Sequence, residues 1–274
     1  TIQSRGLGDV YKRQLYYFEE IGLIVLVILV GYVLTKNYFL HKERRMKEIE
    51  EEELEMIESK SIKGVIFESS KNITKFSKRI NKLFLKTFEG LGSKDISTLK
   101  ENQTTVSKLD KDVDLIANNV FYFIKNLDEA SKESASDFHM KILGGLENIT
   151  LSMQTITKSI YKHFNNNHRG LTYNQLRELK ELEDDMNNFF KKIVQTFEKQ
   201  KYEEIKSIFS IKESLIKSLN KKIKSQVSRT KDKDSGPRNT RLYFEFLNKT
   251  QNIVSEYLKI LELYSEKYVK KIEE

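Results

Sequence analysis

The sequence has no cysteine, no tryptophan, one proline and 11 glycines in 274 residues. Without cysteine there is no disulfide framework, no thiolate metal site and no cysteine nucleophile. A single proline, Pro237, and few glycines leave little turn chemistry, so long helices with few connections are expected. Charge of one sign is not gathered into a block. Lys and Glu are interleaved through most of the chain, as on a solvated helical surface. No recognised nucleic-acid motif accompanies the formal net charge of +8, so nucleic acid is not an expected partner. Also missing are a glycine-rich phosphate loop, a nucleophile motif and an H-E-x-x-H pair. The chain is therefore not expected to be an enzyme.

What is present begins with one apolar run. Residues 21–34 are apolar apart from Gly22, Gly31 and Tyr32. Extension to Leu40 gives about 20 residues, the length that crosses a bilayer. Lys36 and Asn37 are the strongly polar residues in it, and Lys36 near its end can snorkel to the interface. Tyr16, Tyr17 and Phe18 before the run, and Tyr38 and Phe39 at its end, resemble interfacial aromatic belts. No small-residue cleavage site follows, which argues against a signal peptide. Residues 15–40 are therefore expected to be a transmembrane helix with the lipid bilayer as partner. Lys36, Lys42, Arg44, Arg45 and Lys47 on the far side, against Glu19 and Glu20 before it, place the C-terminal side in the cytoplasm.

The leader bears on that orientation. Residues 4–14, SRGLGDVYKRQ, resemble the translation of a transposase sequencing adapter, in which GATGTGTATAAGAGACAG reads in frame as Asp9 to Gln14. Residues 1–14 are accordingly expected to be non-native and are set aside. That removes Arg5, Lys12, Arg13 and Asp9, lowering the formal net charge to +6. The native reading starts near Leu15, as a fragment of a longer chain.

Residues 41–60, HKERRMKEIEEEELEMIESK, carry almost no apolar stripe and read as a charged helical connector. From Ile62 the pattern becomes amphipathic. Apolar residues recur every three or four positions, from Ile62 to Leu91, Val106 to Leu127 and Phe138 to Ile160. HFNNNHRG, residues 163–170, is the strongest loop signal. The pattern then repeats, from Leu176 to Phe197, Ile205 to Val227 and Leu242 to Tyr268. Thr172 and Gln175 form a capping-box pair at the start of the fourth stripe. RTKDKDSGPR, residues 229–238, reads as the last loop. Six helices of roughly 25–33 residues follow, each spanning about 45 Å, in repeats at 62–163 and 172–271. The expected fold is all-α, with short connections making neighbours antiparallel.

Two stacked three-helix units in one chain resemble the PhoU fold. The match sharpens over HFNNNHRGLTYNQLRELKELEDDMNNFF, KESLIKSLNKKIKSQVSRTK and RNTRLYFEFLNKTQNIVSEYLKILELYSEKYV. These resemble the cytoplasmic C-terminal region of bacterial inorganic phosphate transporters of the PiT family, in which the last span leads into a PhoU-like extension. The resemblance covers most of residues 15–274 and is firmest over 163–271. It implies cation-coupled phosphate symport by a multi-pass protein of the bacterial inner membrane, with residues 61–274 as a cytoplasmic regulatory or stabilising domain. The partners it implies are the transporter's own N-terminal transmembrane core and, through that core, inorganic phosphate and a coupling cation. Self-association of the helical domain is a further option.

PhoU-like domains often carry a Glu/Asp-x-x-x-Asp signature, which sets two carboxylates one turn apart for a hard or transition metal. In the aligned stretch LENITL, Glu147 is followed four residues later by Leu151, so the second carboxylate is missing. The same spacing recurs at Asp110/Asp114 and Glu181/Asp185. These four are the candidate metal ligands, against the commoner reading of a solvated helix face. No other cofactor is expected. His163 and His168 flank the Asn-rich loop and suit a loop or capping role better than a metal. The alternative function is a single-pass membrane scaffold or sensor with a helical bundle or coiled coil.

Overall fold

The computed structural model describes residues 29, 31–33, 35–38, 41, 62–200, 205–231 and 236–270. The chain divides into two units, residues 1–58 and 59–274. In the first, the described residues are helical, and Leu29, Tyr32, Val33 and Tyr38 are exposed. Thr35 Oγ1 donates to the carbonyl of Gly31 at 2.9 Å, within the same helical turn. Among the described residues no helix is long and apolar enough to cross a membrane. The span expected at 15–40 lies largely outside the described residues, as do the leader 1–14 and nearly all of the connector 41–60.

The second unit is all-helical among its described residues, with seven helices: α1 (Ile62–Ser93), α2 (Ile96–Ser107), α3 (Leu109–Lys125), α4 (Glu129–Asn165), α5 (Tyr173–Lys199), α6 (Ile205–Lys231) and α7 (Pro237–Lys270). The expectation of six helices fails at the second position, which is two helices. α2 is cut off from α1 by the left-handed Lys94, φ 57°. Asp95 then caps it, its carboxylate accepting from the amides of Ser97 at 2.9 Å and Thr98 at 3.3 Å. α2 ends at Lys108, which opens α3 with no break-forming residue. Lengths run from the 12 residues of α2 to the 37 of α4, wider than expected.

The two repeats pack first helix on first and third on third. The most extensive interfaces are α4 with α7 and α1 with α5, while α2 and α3 cover α1 and α4, and α6 covers α5 and α7. Both large pairings are antiparallel: Phe84 meets Phe190 while Ser70 reaches Phe197, and Phe138 meets Tyr264 while Asn148 reaches Glu256. An aromatic cluster joins the repeats. Phe84 lies 5.9 Å from both Phe190 and Phe246, and Tyr257 packs edge-on against Phe189 and Phe190. Each such ring contributes roughly 1.5–3 kcal/mol of transfer free energy when buried. The small residue Gly145 allows α4 and α7 to approach closely; a Cβ there would lie 3.0 Å from Ile260.

The apolar stripes from Ile73 to Phe197 fall in this core, apart from Val120, Ile124 and Leu127, which form a smaller cluster with Val65 and Ala135. α6 departs from the pattern. Val227 is 43 % exposed, and Lys222 and Gln226 take the buried face at its C-terminal half. The reason lies in the polar partners that α5 and α7 present to them.

Candidate functional site

Chain reversals bring one end of α4, α5, α6 and α7 together. α4 ends in a Schellman motif. Asn167 adopts φ 54°, its amide reaches the carbonyl of Phe164 at 2.9 Å, and the amide of His168 reaches that of His163 at 3.1 Å. This folds His168 back over His163, with ring centroids 5.1 Å apart. His163 is buried, and its Nε2 donates to the carbonyl of Arg169 at 2.7 Å. The expected capping box is present: Gln175 N lies 3.4 Å from Thr172 Oγ1, and Thr172 N donates to Gln175 Oε1 at 2.9 Å.

α7 starts on the chain's single proline, a position where the missing N–H costs nothing. Asn239 Nδ2 donates to the carbonyl of Gly170 at 2.7 Å, and Arg238 Nη1 donates to His168 Nδ1 at 3.1 Å. The start of α7 is thus tied to the loop between repeats. On one face of its first turns lie Arg238, Arg241 and Glu245. They face Lys162, His163 and His168 across an open cleft of about 310 Å³. A second hollow, lined by Arg169 and the Gly236–Asn239 turn, shares His168 and Arg238 with it. Among the described residues no carboxylate pairs with Lys162, Arg238 or Arg241. The imidazole of His168 is held below its ordinary pKa by desolvation and by the charges of Arg238 and His163.

The opposite face of the same turns is anchored by a buried polar network. Arg229 of α6 forms a two-pronged bond to Glu178 of α5, at 2.9 and 2.7 Å. The Tyr243 hydroxyl of α7 donates to the same carboxylate. Gln226 accepts from Gln175 and donates to Thr240, each at 3.0 Å. This network explains why α6 buries polar residues where an apolar stripe was expected. Burial alone would raise the pKa of Glu178, but hydrogen bonds from Arg229 and Tyr243 outweigh it and hold the carboxyl below its ordinary range. Burial pushes the Tyr243 hydroxyl up.

The carboxylate pairs chosen from spacing lie elsewhere. Asp110 accepts from Gln154 at 2.8 Å, and Asp114, one turn on, is exposed. Glu181 accepts from the nearly buried Lys222 at 3.1 Å, and Lys222 also donates to Ser218 at 3.2 Å. Ser218 in turn donates to Asp185 at 3.5 Å. Glu181 is thus paired with an ammonium group supplied by α6, and Asp185 is bonded to a hydroxyl of the same helix. Among the described residues no group of three or more His, Asp or Glu is placed to hold a metal ion. At Glu147/Leu151 the second position is an exposed leucine. Of the residues weighed from sequence, His163 and His168 do meet. Lys162, Arg238 and Arg241 were missed, although two arginines three apart directly after the only proline mark one face of a helix start.

No family model and no curated protein matches the chain. Among solved structures, the phosphate transport system regulatory protein PhoU from Streptococcus pneumoniae is similar, with a TM-score of 0.61 at 14 % identity, over 74 % of this chain and 95 % of that one. At that identity the likeness is one of fold: the domain that carries the cleft is a PhoU-like helical bundle.

Proposed function

We propose that this chain serves inorganic phosphate transport. Residues 62–270 form a regulatory or stabilising domain on the cytoplasmic side of the bacterial inner membrane. Residues 15–40 are the last span of a PiT-type permease that moves phosphate with a coupled cation. The observation that carries this reading is the PhoU-like bundle of two helical repeats, the first with its second helix split in two, placed after an apolar run with a basic C-terminal flank. No catalytic role is assigned to any residue. The genomic reading frame upstream of Leu15 tests the proposal. A polytopic permease in the same frame supports it, with the adapter-like residues 4–14 replaced by native sequence. A frame with no further spans overturns it in favour of a single-pass scaffold.

A further inference from the structure

We propose that the cleft between the last turn of α4 and the first turns of α7 is a binding site for a protonated phosphate oxyanion: inorganic phosphate, or the phosphoryl group of a small molecule. The inference rests on the cleft's own charge and geometry, independently of the transport reading. Lys162, Arg238 and Arg241 converge on one hollow of about 310 Å³ with no carboxylate paired to them among the described residues. Three cations against the single carboxylate of Glu245 among the described lining residues leave a net positive hollow, and a bound dianion relieves the repulsion between them. Their chemistry suits phosphate oxygens: arginine offers a planar fork that can engage two oxygens, and lysine a point charge.

The cleft is also built to keep its shape. His163 is buried and fixed to the Arg169 carbonyl, Arg238 is fixed to His168, and Asn239 is fixed to Gly170. Behind the first turns of α7, the Glu178, Arg229 and Tyr243 network holds the other face. Preorganised donors bind more tightly because less ordering is lost on association. The site lies far from the first turn of α1. Ala135 of α4 belongs to the same apolar cluster as Val65 of α1, and Lys162 is 27 residues further along α4, about 40 Å away at the helical rise.

Glu245 gives the site its selectivity. Among the described residues it is the one carboxylate lining this cationic hollow. An ionised carboxylate accepts hydrogen bonds and cannot donate them. It therefore accepts from the P–OH of hydrogen phosphate or of a protonated monoester, and it repels sulfate, which has no proton to offer at neutral pH. Phosphodiester headgroups share the phosphate chemistry but also lack that proton.

Calorimetric titration of the purified full chain with sodium phosphate and with sodium sulfate tests the assignment. Phosphate is expected to bind, with sulfate about tenfold or more weaker, the scale of one charge-assisted hydrogen bond. Lys162→Gln and Arg241→Gln should each weaken phosphate about tenfold, and Glu245→Gln should bring phosphate and sulfate together. Lys224→Gln, which removes an exposed positive charge from α6, should leave phosphate affinity unchanged. Lys162 and Arg241 are exposed, so the unliganded thermal midpoints of these variants should match the parent. The absence of both heat and a phosphate-dependent midpoint shift overturns the proposal. So does a parent-like affinity in Arg241→Gln and Lys162→Gln. Cosedimentation with phosphatidylglycerol vesicles that both variants abolish, without phosphate binding, would assign the cleft to a lipid headgroup and overturn the soluble-ion source.

Discussion

Arg229→Leu removes one half of the ion pair that joins α6 to α5 beneath the start of α7. The Arg229 and Glu178 side chains are 13 % and 15 % exposed. Breaking a fully buried pair by deleting one partner costs about 3–5 kcal/mol, because the other charge stays behind uncompensated. Here Glu178 keeps the Tyr243 hydroxyl and some water, so the expected cost is about 2–4 kcal/mol. The substitution also removes the Arg229 bond to Gln226, at 3.0 Å, and the guanidinium packed 5.5 Å from the Tyr243 ring centroid. Urea unfolding of the full chain, followed by circular dichroism, reads the loss as a lower midpoint. Glu178→Leu combined with Arg229→Leu should recover part of it, since no stranded charge remains. The pH dependence has a definite sign. The folded pKa of Glu178 is depressed, so its contribution is present above the unfolded-chain value of about 4.3 and is lost as pH falls through the folded value. The gap between parent and Arg229→Leu should therefore narrow below about pH 4. A cost under about 0.5 kcal/mol at neutral pH, the usual range for a surface change, would refute the reasoning.

Three further outcomes are expected. Gly145→Ala should lower the urea midpoint, because the added Cβ meets Ile260 at 3.0 Å and overpacking costs about 1–3 kcal/mol. Its neighbour Gly144 has nothing within 4 Å of such a Cβ, so Gly144→Ala should raise the midpoint through helix propensity, by up to about 1 kcal/mol. His139 is buried, and that burial holds its pKa down against the opposing pull of the Ala117 backbone. Its neutral form is the one the fold accommodates, so stability should fall as pH drops below about 6.5, and His139→Leu should flatten that part of the profile in thermal melts. His168 is held down by desolvation and its cationic neighbours. Phosphate in the cleft should move its pKa upward in a proton NMR titration, and an unshifted curve at saturating phosphate would contradict the placement of the anion.

The fold was legible where apolar spacing and end signals agree. The stripes through Ile73–Leu91, Phe138–Ile160 and Leu179–Phe197 became the core. The Thr172/Gln175 box and the Asn-rich reversal fell where their chemistry placed them. The break at Lys108 was not legible, because no glycine or proline marks it and α2 carries few apolar residues. On α6 the apolar rule chose Val227, whereas Gln226 is buried because its partners Gln175 and Thr240 come from two other helices. The cleft was hidden for the same reason. Lys162 and Arg241 stand on different repeats, and no local pattern announces that α4 and α7 will bring them together. The spacing of Glu181 and Asp185 was read correctly as two carboxylates one turn apart. Glu181 meets Lys222 and Asp185 meets Ser218, both supplied by another helix, which the spacing alone does not announce.

The central claim is that the helical domain serves phosphate transport. The most direct measurement is uptake of radiolabelled phosphate by cells that make the full-length protein, with and without residues 62–270. The account predicts that the full-length protein supports uptake, and that deleting the domain changes either the rate of uptake or the amount of protein in the membrane. Equal uptake and equal membrane levels with and without the domain, or no phosphate uptake by the full-length protein, would contradict it.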